Sequence, residues 1–237
     1  ITSEVPLRFW NKIIVADNLY VCNGYHYDEL KENKASVFVS NIEFWGGEKV
    51  LDNISKYKNS VTPDKKSLGF YSTGTWARDL ENLMSKNKNL VKIEEEVKMI
   101  VKKFCQHNPE YQLIIFLHPR ECKAKYAQLT KEKYLKDFEG INFHIEEDRS
   151  SNTYEKADVS VAFYSSIVFD RLYYGFKTII MPIGLEDKFP IKNSNMNLIC
   201  TYTESELYSK IIESCGMSNK MFFEKNKITH FAKYLYN

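Results

Sequence analysis

His118 directly follows the apolar run Tyr111–Leu117 (YQLIIFL) and is followed by Pro119 and Arg120. An imidazole just past the carboxyl end of a buried strand can donate a hydrogen bond to a phosphate or protonate a leaving group. Pro119 fixes the turn and keeps His118 out of helical geometry. A loop histidine that merely ends the strand would have the same local sequence. A second group is Ser165 and Ser166, which follow Val159–Phe163 and precede the helically spaced Ile167, Val168, Phe169 and Leu172. Two hydroxyls, free backbone N–H groups and a helix dipole would converge there on an anion. The same serines could serve only as N-caps.

A third group is Ser72, Thr73, Gly74 and Thr75, a polar turn after Ser67–Tyr71 (SLGFY). Gly74 would let a ligand approach the backbone closely. A plain strand-to-helix turn explains it as well, since the stretch is neither a GxGxxG fingerprint nor a Walker motif. Glu146 opens the acidic run Glu146-Glu147-Asp148 after Ile141–Ile145, where a loop can meet a nucleoside base or ribose; a simple acidic loop is the alternative. Nearer the start, Asp17 and Glu43 follow the apparent strands Lys12–Ala16 and Ser36–Ser40, and are the acids placed to act as a base. These two, with His26 and Asp28, read more readily as ordinary surface residues.

The elements that must position these groups alternate. Leu90–Gln106 is an amphipathic helix with Ile93, Val97, Ile100, Val101 and Phe104 on one face. Tyr111–Leu117 is the most apolar strand and is expected at the sheet centre. Glu121–Asp137 reads as a helix, Ile141–Ile145 as a strand and Asn152–Lys156 as a short helix. Ala157–Gly184 reads as strand, turn, helix, strand, with Thr178–Met181 the second strand. Met196–Cys200 reads as a last strand. Thr203 with Glu206 forms a capping box ahead of Glu204–Glu213, and Lys220–Tyr236 reads as a terminal helix. This alternation predicts an α/β fold with a doubly wound parallel sheet, Rossmann-like, over residues 67–237. Residues 1–66 form a short N-terminal α/β segment, with Asn53–Asp64 as a linker.

Composition narrows the classes. The 237 residues carry 33 basic and 31 acidic side chains, a net charge of +2, so no general field for nucleic acid exists. Five scattered cysteines without a CxxC pair fit a reducing compartment, so a cytoplasmic location is expected. No apolar run reaches membrane-spanning length and no signal peptide is visible. The aromatic terminal helix could still pack on a missing N-terminal domain or on a membrane-associated partner, which would place the protein peripherally at the inner face. The chain begins at Ile1 rather than Met, so an upstream segment is expected. No DxD-like or clustered His/Asp site occurs, so neither a metal nor a cofactor is expected.

Taken in order, Ser72–Thr75, His118-Pro119-Arg120 and Ser165-Ser166 resemble the nucleotide-binding domain of GT-B glycosyltransferases. The set looks most like bacterial enzymes with CMP-activated donors, the sialyltransferases and capsule Kdo transferases. In that family the His of His-Pro contacts the donor phosphate and helps CMP leave, and the serine pair holds the same phosphate. His118 and Pro119 match the first motif, and Ser165 and Ser166 the second. The run from Tyr164 to Asp170 also resembles CDP-glycerol glycerophosphotransferases of teichoic acid synthesis. The resemblance covers residues 67–237. It implies transfer from a CMP- or CDP-activated donor to a glycan or glycolipid acceptor, in capsule or lipopolysaccharide synthesis. The family's acidic Asp/Glu-Asp/Glu-Gly base motif has no match here, and residues 1–66 are too short for a full acceptor domain. A nucleotide-binding module without an acceptor half, or an unrelated doubly wound domain with structural loops, are the other readings.

Overall fold

The computed structural model describes residues 14–21, 37–44, 56–57, 66–84, 88–148, 152–163, 165, 167–185, 195–229 and 231–232. Strands β1 (Ile14–Val21) and β2 (Val37–Phe44) pair in parallel as a separate two-stranded sheet. The main sheet contains β3 (Ser67–Tyr71), β4 (Gln112–Phe116), β5 (Phe143–Glu146), β6 (Val159–Ala162) and β7 (Lys177–Ile180). Its order is β5-β4-β3-β6-β7 and every pairing is parallel. This is the doubly wound, Rossmann-like α/β arrangement.

The composition of the strands accounts for it. Residues 67–71, 113–116, 159–162 and 177–180 are all buried, as befits a parallel sheet covered on both faces. The covering helices are α1 (Thr75–Leu80), α2 (Lys88–His107), α3 (Ala127–Asp137), α4 (Ile167–Tyr173), α5 (Glu204–Cys215) and α6 (Asn219–Lys225). Helix α2 buries Val97, Ile100, Val101 and Phe104, the stripe expected from its spacing. The capping box at Thr203 and Glu206 forms as read.

Several expectations are corrected. The sheet centre is β3, with β4 beside it. Apolar content reports burial of a strand's two faces, and both strands are covered on both. The expected strand 196–200 is a 3-10 helix, Asn195–Ile199, followed by one bridge from Cys200 to Ile180. Its backbone turns back on itself, Cys200 N donating to the Asn197 carbonyl at 3.1 Å. Helix α3 begins only at Ala127, after a 3-10 turn at Ala124–Tyr126. The terminal helix ends at Lys225, where Asn226 Nδ2 bonds the Phe222 carbonyl at 2.7 Å and Lys227 takes φ of 54°; residues 230 and 233–236 of that expected helix lie outside the described set.

Within the expected linker, Tyr57 is buried in the main core, its ring 4.9 Å from that of Tyr174 and 5.4 Å from that of Phe176. No helix of the described residues is long and apolar enough to cross a membrane.

Candidate functional site

From β3 the chain goes to β4 and β5 on one side of the sheet, then returns to β6 and β7 on the other. Such a reversal leaves a crevice at the carboxyl ends of the strands flanking it, here β3 and β6. The turn after β3 enters that crevice first. Ser72 N donates to the Phe116 carbonyl at 3.0 Å, holding the turn against the end of β4. Gly74 takes φ of 62° as N-cap of α1 and lies against His118 from the loop after β4. Two of the three groups singled out in the sequence therefore touch.

The third group follows β6. Ser165 is half-buried, and its hydroxyl accepts from Ile167 N at 3.4 Å, the geometry of a cap on α4. Tyr164 and Ser166 lie outside the described residues. So do His26 and Asp28. Asp17 is exposed within β1, and Glu43 is paired with Tyr20 within β2. Strand β1 runs on for four residues past Asp17, so that acid lies inside the strand and not after it, whereas Glu43 is the last residue but one of β2. Glu146 is buried at the end of β5. It pairs with Lys156 at 2.5 Å and accepts from Asp148 N at 3.0 Å, which engages its carboxylate internally. Lys156 holds the Glu146 carboxyl below the usual range, against the effect of burial.

Two buried glutamates brace the site. Glu94 of α2 accepts from Thr73 N at 2.6 Å, Thr75 N at 3.0 Å, Ser72 Oγ at 3.2 Å and Thr75 Oγ1. The amides and hydroxyls of the turn are thus largely directed inward to one carboxylate. Gly74 N bonds Ser72 Oγ at 2.9 Å, and Thr73 Oγ1 is buried without a hydrogen-bond partner among the described residues. Glu121 holds the neighbouring loop, accepting from His118 N at 2.8 Å, from Tyr134 OH at 2.9 Å and from the Trp76 indole. Burial raises the Glu121 carboxyl, with nearby Glu94 adding to the effect. The sequence did carry a signal for Glu94. It sits three residues before Val97 and seven before Val101, on the apolar stripe of α2, where an ionisable side chain must be partnered.

His118 is half-buried, and its Nδ1 accepts from Arg120 N at 3.2 Å. That bond places the neutral ring's proton on Nε2. Burial lowers the His118 pKa, and Arg78 and Arg120 lower it further, against an opposing effect of Glu94. In its neutral form the imidazole offers the Nε2 proton, and Arg78 and Arg120 act on it electrostatically, an arrangement suited to an anion. Beside it, a cavity of about 370 Å³ opens between the ends of β4 and β5 and helix α3, lined by Leu117, Cys122, Thr130, Lys131, Ile145 and Glu147 among others.

No protein-family model and no curated sequence matches this chain. Solved structures do. A putative UDP-N-acetylglucosamine 2-epimerase from Listeria monocytogenes aligns with a TM-score of 0.52 at 12% identity, over 91% of this chain and 55% of that one. A Thermobaculum terrenum O-GlcNAc transferase mutant aligns at 0.47 and 12% identity, over 73% of this chain and 32% of that one. The wall teichoic acid polymerase TagF aligns at 0.37 and 14% identity, over 89% and 52%. The chain thus spans about a third to just over half of the length of these structures. What the first alignment shares with this chain is the fold.

Proposed function

We propose that this chain carries the donor-binding part of a GT-B-type glycosyltransferase that moves a sugar from a CMP-activated donor, of the sialic acid or Kdo type, to a glycan or glycolipid acceptor of a bacterial surface. The observation that carries the proposal is the packing of His118 on Gly74 at the carboxyl ends of β4 and β3, beside the reversal of strand order. The His-Pro and Ser-Ser motifs and their order in the sequence support the same reading.

In this reading the donor phosphate lies in the crevice between the Ser72–Thr75 turn, His118 and Ser165. As the bond from sugar to phosphate breaks, negative charge grows on the phosphate oxygens. His118 Nε2–H donates to that charge, and Arg78 and Arg120 add field. A preorganised donor of this kind contributes about 3 kcal/mol to the transition state. Thr73 Oγ1 is a further hydroxyl without a hydrogen-bond partner among the described residues. Departure of the nucleotide needs no base; the acceptor hydroxyl oxygen that bonds to the sugar carbon in its place gives up its proton to a base, the role for which Asp17 and Glu43 are the candidates.

Calorimetric titration of the chain with CMP, CDP and UDP tests the proposal, with His118→Ala and Ser165→Ala/Ser166→Ala beside the wild type. The expected result is CMP binding in the micromolar range that each variant weakens by about tenfold or more. Failure of every nucleotide to bind the wild-type chain would remove the proposal. Release of CMP from a CMP-sugar, against CDP-glycerol, then separates sugar transfer from glycerophosphate transfer.

A further inference from the structure

Beside His118, three cations converge on one carboxylate. Glu81, just after α1, takes a bond from Arg120 and ion pairs from Lys123 and Lys125 at 3.0 Å each, and Tyr126 OH donates to it at 3.3 Å. The Glu81 side chain is 14% exposed, whereas those of Arg120, Lys123 and Lys125 are 37%, 44% and 59% exposed. The anion is covered and the cations face solvent.

The charges do not balance locally. Glu81 is one negative charge against the three positive charges of Arg120, Lys123 and Lys125. Asp79 lies on the same helix without an ion pair to any of them, and Glu121 is committed to the His118 loop. Elsewhere the pairing is more even: Lys98 and Lys133 share Glu95 and Asp137. Exposed ion pairs contribute little to stability, and like charges gathered on one carboxylate repel. The cluster therefore gives the fold little. What it does provide is an array of solvent-facing N–H donors, held in place by a covered carboxylate, with most of those donors unspent among the described residues.

We propose that Arg120, Lys123 and Lys125, gathered by Glu81, form a second anion site at the rim of the crevice, which takes a phosphate or carboxylate group on the acceptor. That the anion belongs to an acceptor rests on the transferase reading; the site itself does not. The shared chemistry can come from a glycan substituent or from a lipid headgroup.

The test is an NMR titration of the full chain with inorganic pyrophosphate, with and without saturating CMP, for wild type and for Lys123→Gln/Lys125→Gln. The proposal expects pyrophosphate binding that CMP does not displace and that the double variant weakens by about fivefold or more, while its CMP affinity stays within about twofold of wild type. Displacement by CMP, an equal loss of CMP affinity, or pyrophosphate binding indifferent to the variant overturns it. Flotation with phosphatidylglycerol and phosphatidylcholine vesicles identifies the source. Variant-sensitive binding to the anionic vesicles alone places the group on a lipid; no vesicle binding with pyrophosphate binding intact places it on a glycan. If the wild type binds no nucleotide but keeps the variant-sensitive pyrophosphate response, the donor reading fails and the anion site stands.

Discussion

A Cβ added to Gly74 would lie 2.9 Å from the Cβ, Cγ and Nδ1 of His118. The glycine is thus required twice, by its φ of 62° and by the ring above it. A left-handed residue with a side chain costs roughly 1–2 kcal/mol by itself. The ring cannot retreat freely, because its Nδ1 is bonded to Arg120 N and its backbone N–H to Glu121. Gly74→Ala is expected to lower stability by about 1–3 kcal/mol and to weaken CMP binding more than a remote substitution of equal cost. Urea unfolding and calorimetry measure the two. An alanine variant with wild-type stability and affinity would show that the contact is not maintained.

Glu94 gives the next prediction. Removing it orphans two buried backbone N–H groups, those of Thr73 and Thr75, together with two hydroxyls. Each orphaned buried donor costs roughly 1–3 kcal/mol, so Glu94→Ala should cost about 3 kcal/mol or more. Glu94→Gln keeps the volume but turns an NH₂ toward donors, and should recover only part of the loss. Denaturant midpoints of the two variants decide this. If Glu94→Ala unfolds like wild type, the turn finds its partners elsewhere.

His118 should show its environment in its titration. The lowered pKa means that the unfolded chain binds more protons than the folded one in the window below about 6.5. Stability from this group is therefore present above that value and is lost as pH falls through the folded pKa. His118→Gln should remove this slope. In the wild type, a pH titration followed by NMR should give His118 a midpoint below the ordinary histidine value, and Arg78→Gln should raise it. A midpoint at or above the ordinary value would mean that neither burial nor the guanidinium groups act on the ring.

The sequence made the sheet legible because its strands are short apolar runs separated by amphipathic helices. The strand ends could be read for the same reason, and so His118, Ser72–Thr75 and Ser165 could be placed on one edge. What braces them was not legible as a pair. Glu94 and Glu121 stand 27 positions apart, in a helix and in a turn, and only the fold brings both beneath the site. The rank of β3 and β4 in the sheet also escaped, since hydropathy reports covered faces and says nothing of neighbours. Tyr57 escaped for a related reason: it sits in a polar stretch, and its burial depends on Tyr154, Tyr174 and Phe176 far along the chain.

Lys177 offers a control at the opposite edge of the sheet. It begins β7, and Asp158 directly precedes β6, so both lie at the amino ends of strands, away from the proposed site. The ammonium pairs with Asp158 Oδ1 at 2.7 Å and donates to the carbonyls of Ser214 at 2.9 Å and Met217 at 2.8 Å. The Lys177 side chain is 2% exposed and that of Asp158 11%. Removing one partner of such a pair leaves a charge buried alone, which costs about 3–5 kcal/mol. Lys177→Met should therefore destabilise the chain by that amount. Adding Asp158→Leu should restore part of the loss, because the stranded carboxylate goes while the two carbonyls stay unpaired. Nucleotide affinity of the folded fraction should not change in either variant. Equilibrium unfolding and calorimetry on the same samples test both halves, and a double variant no more stable than Lys177→Met would show that the carbonyls, not the carboxylate, carry the cost.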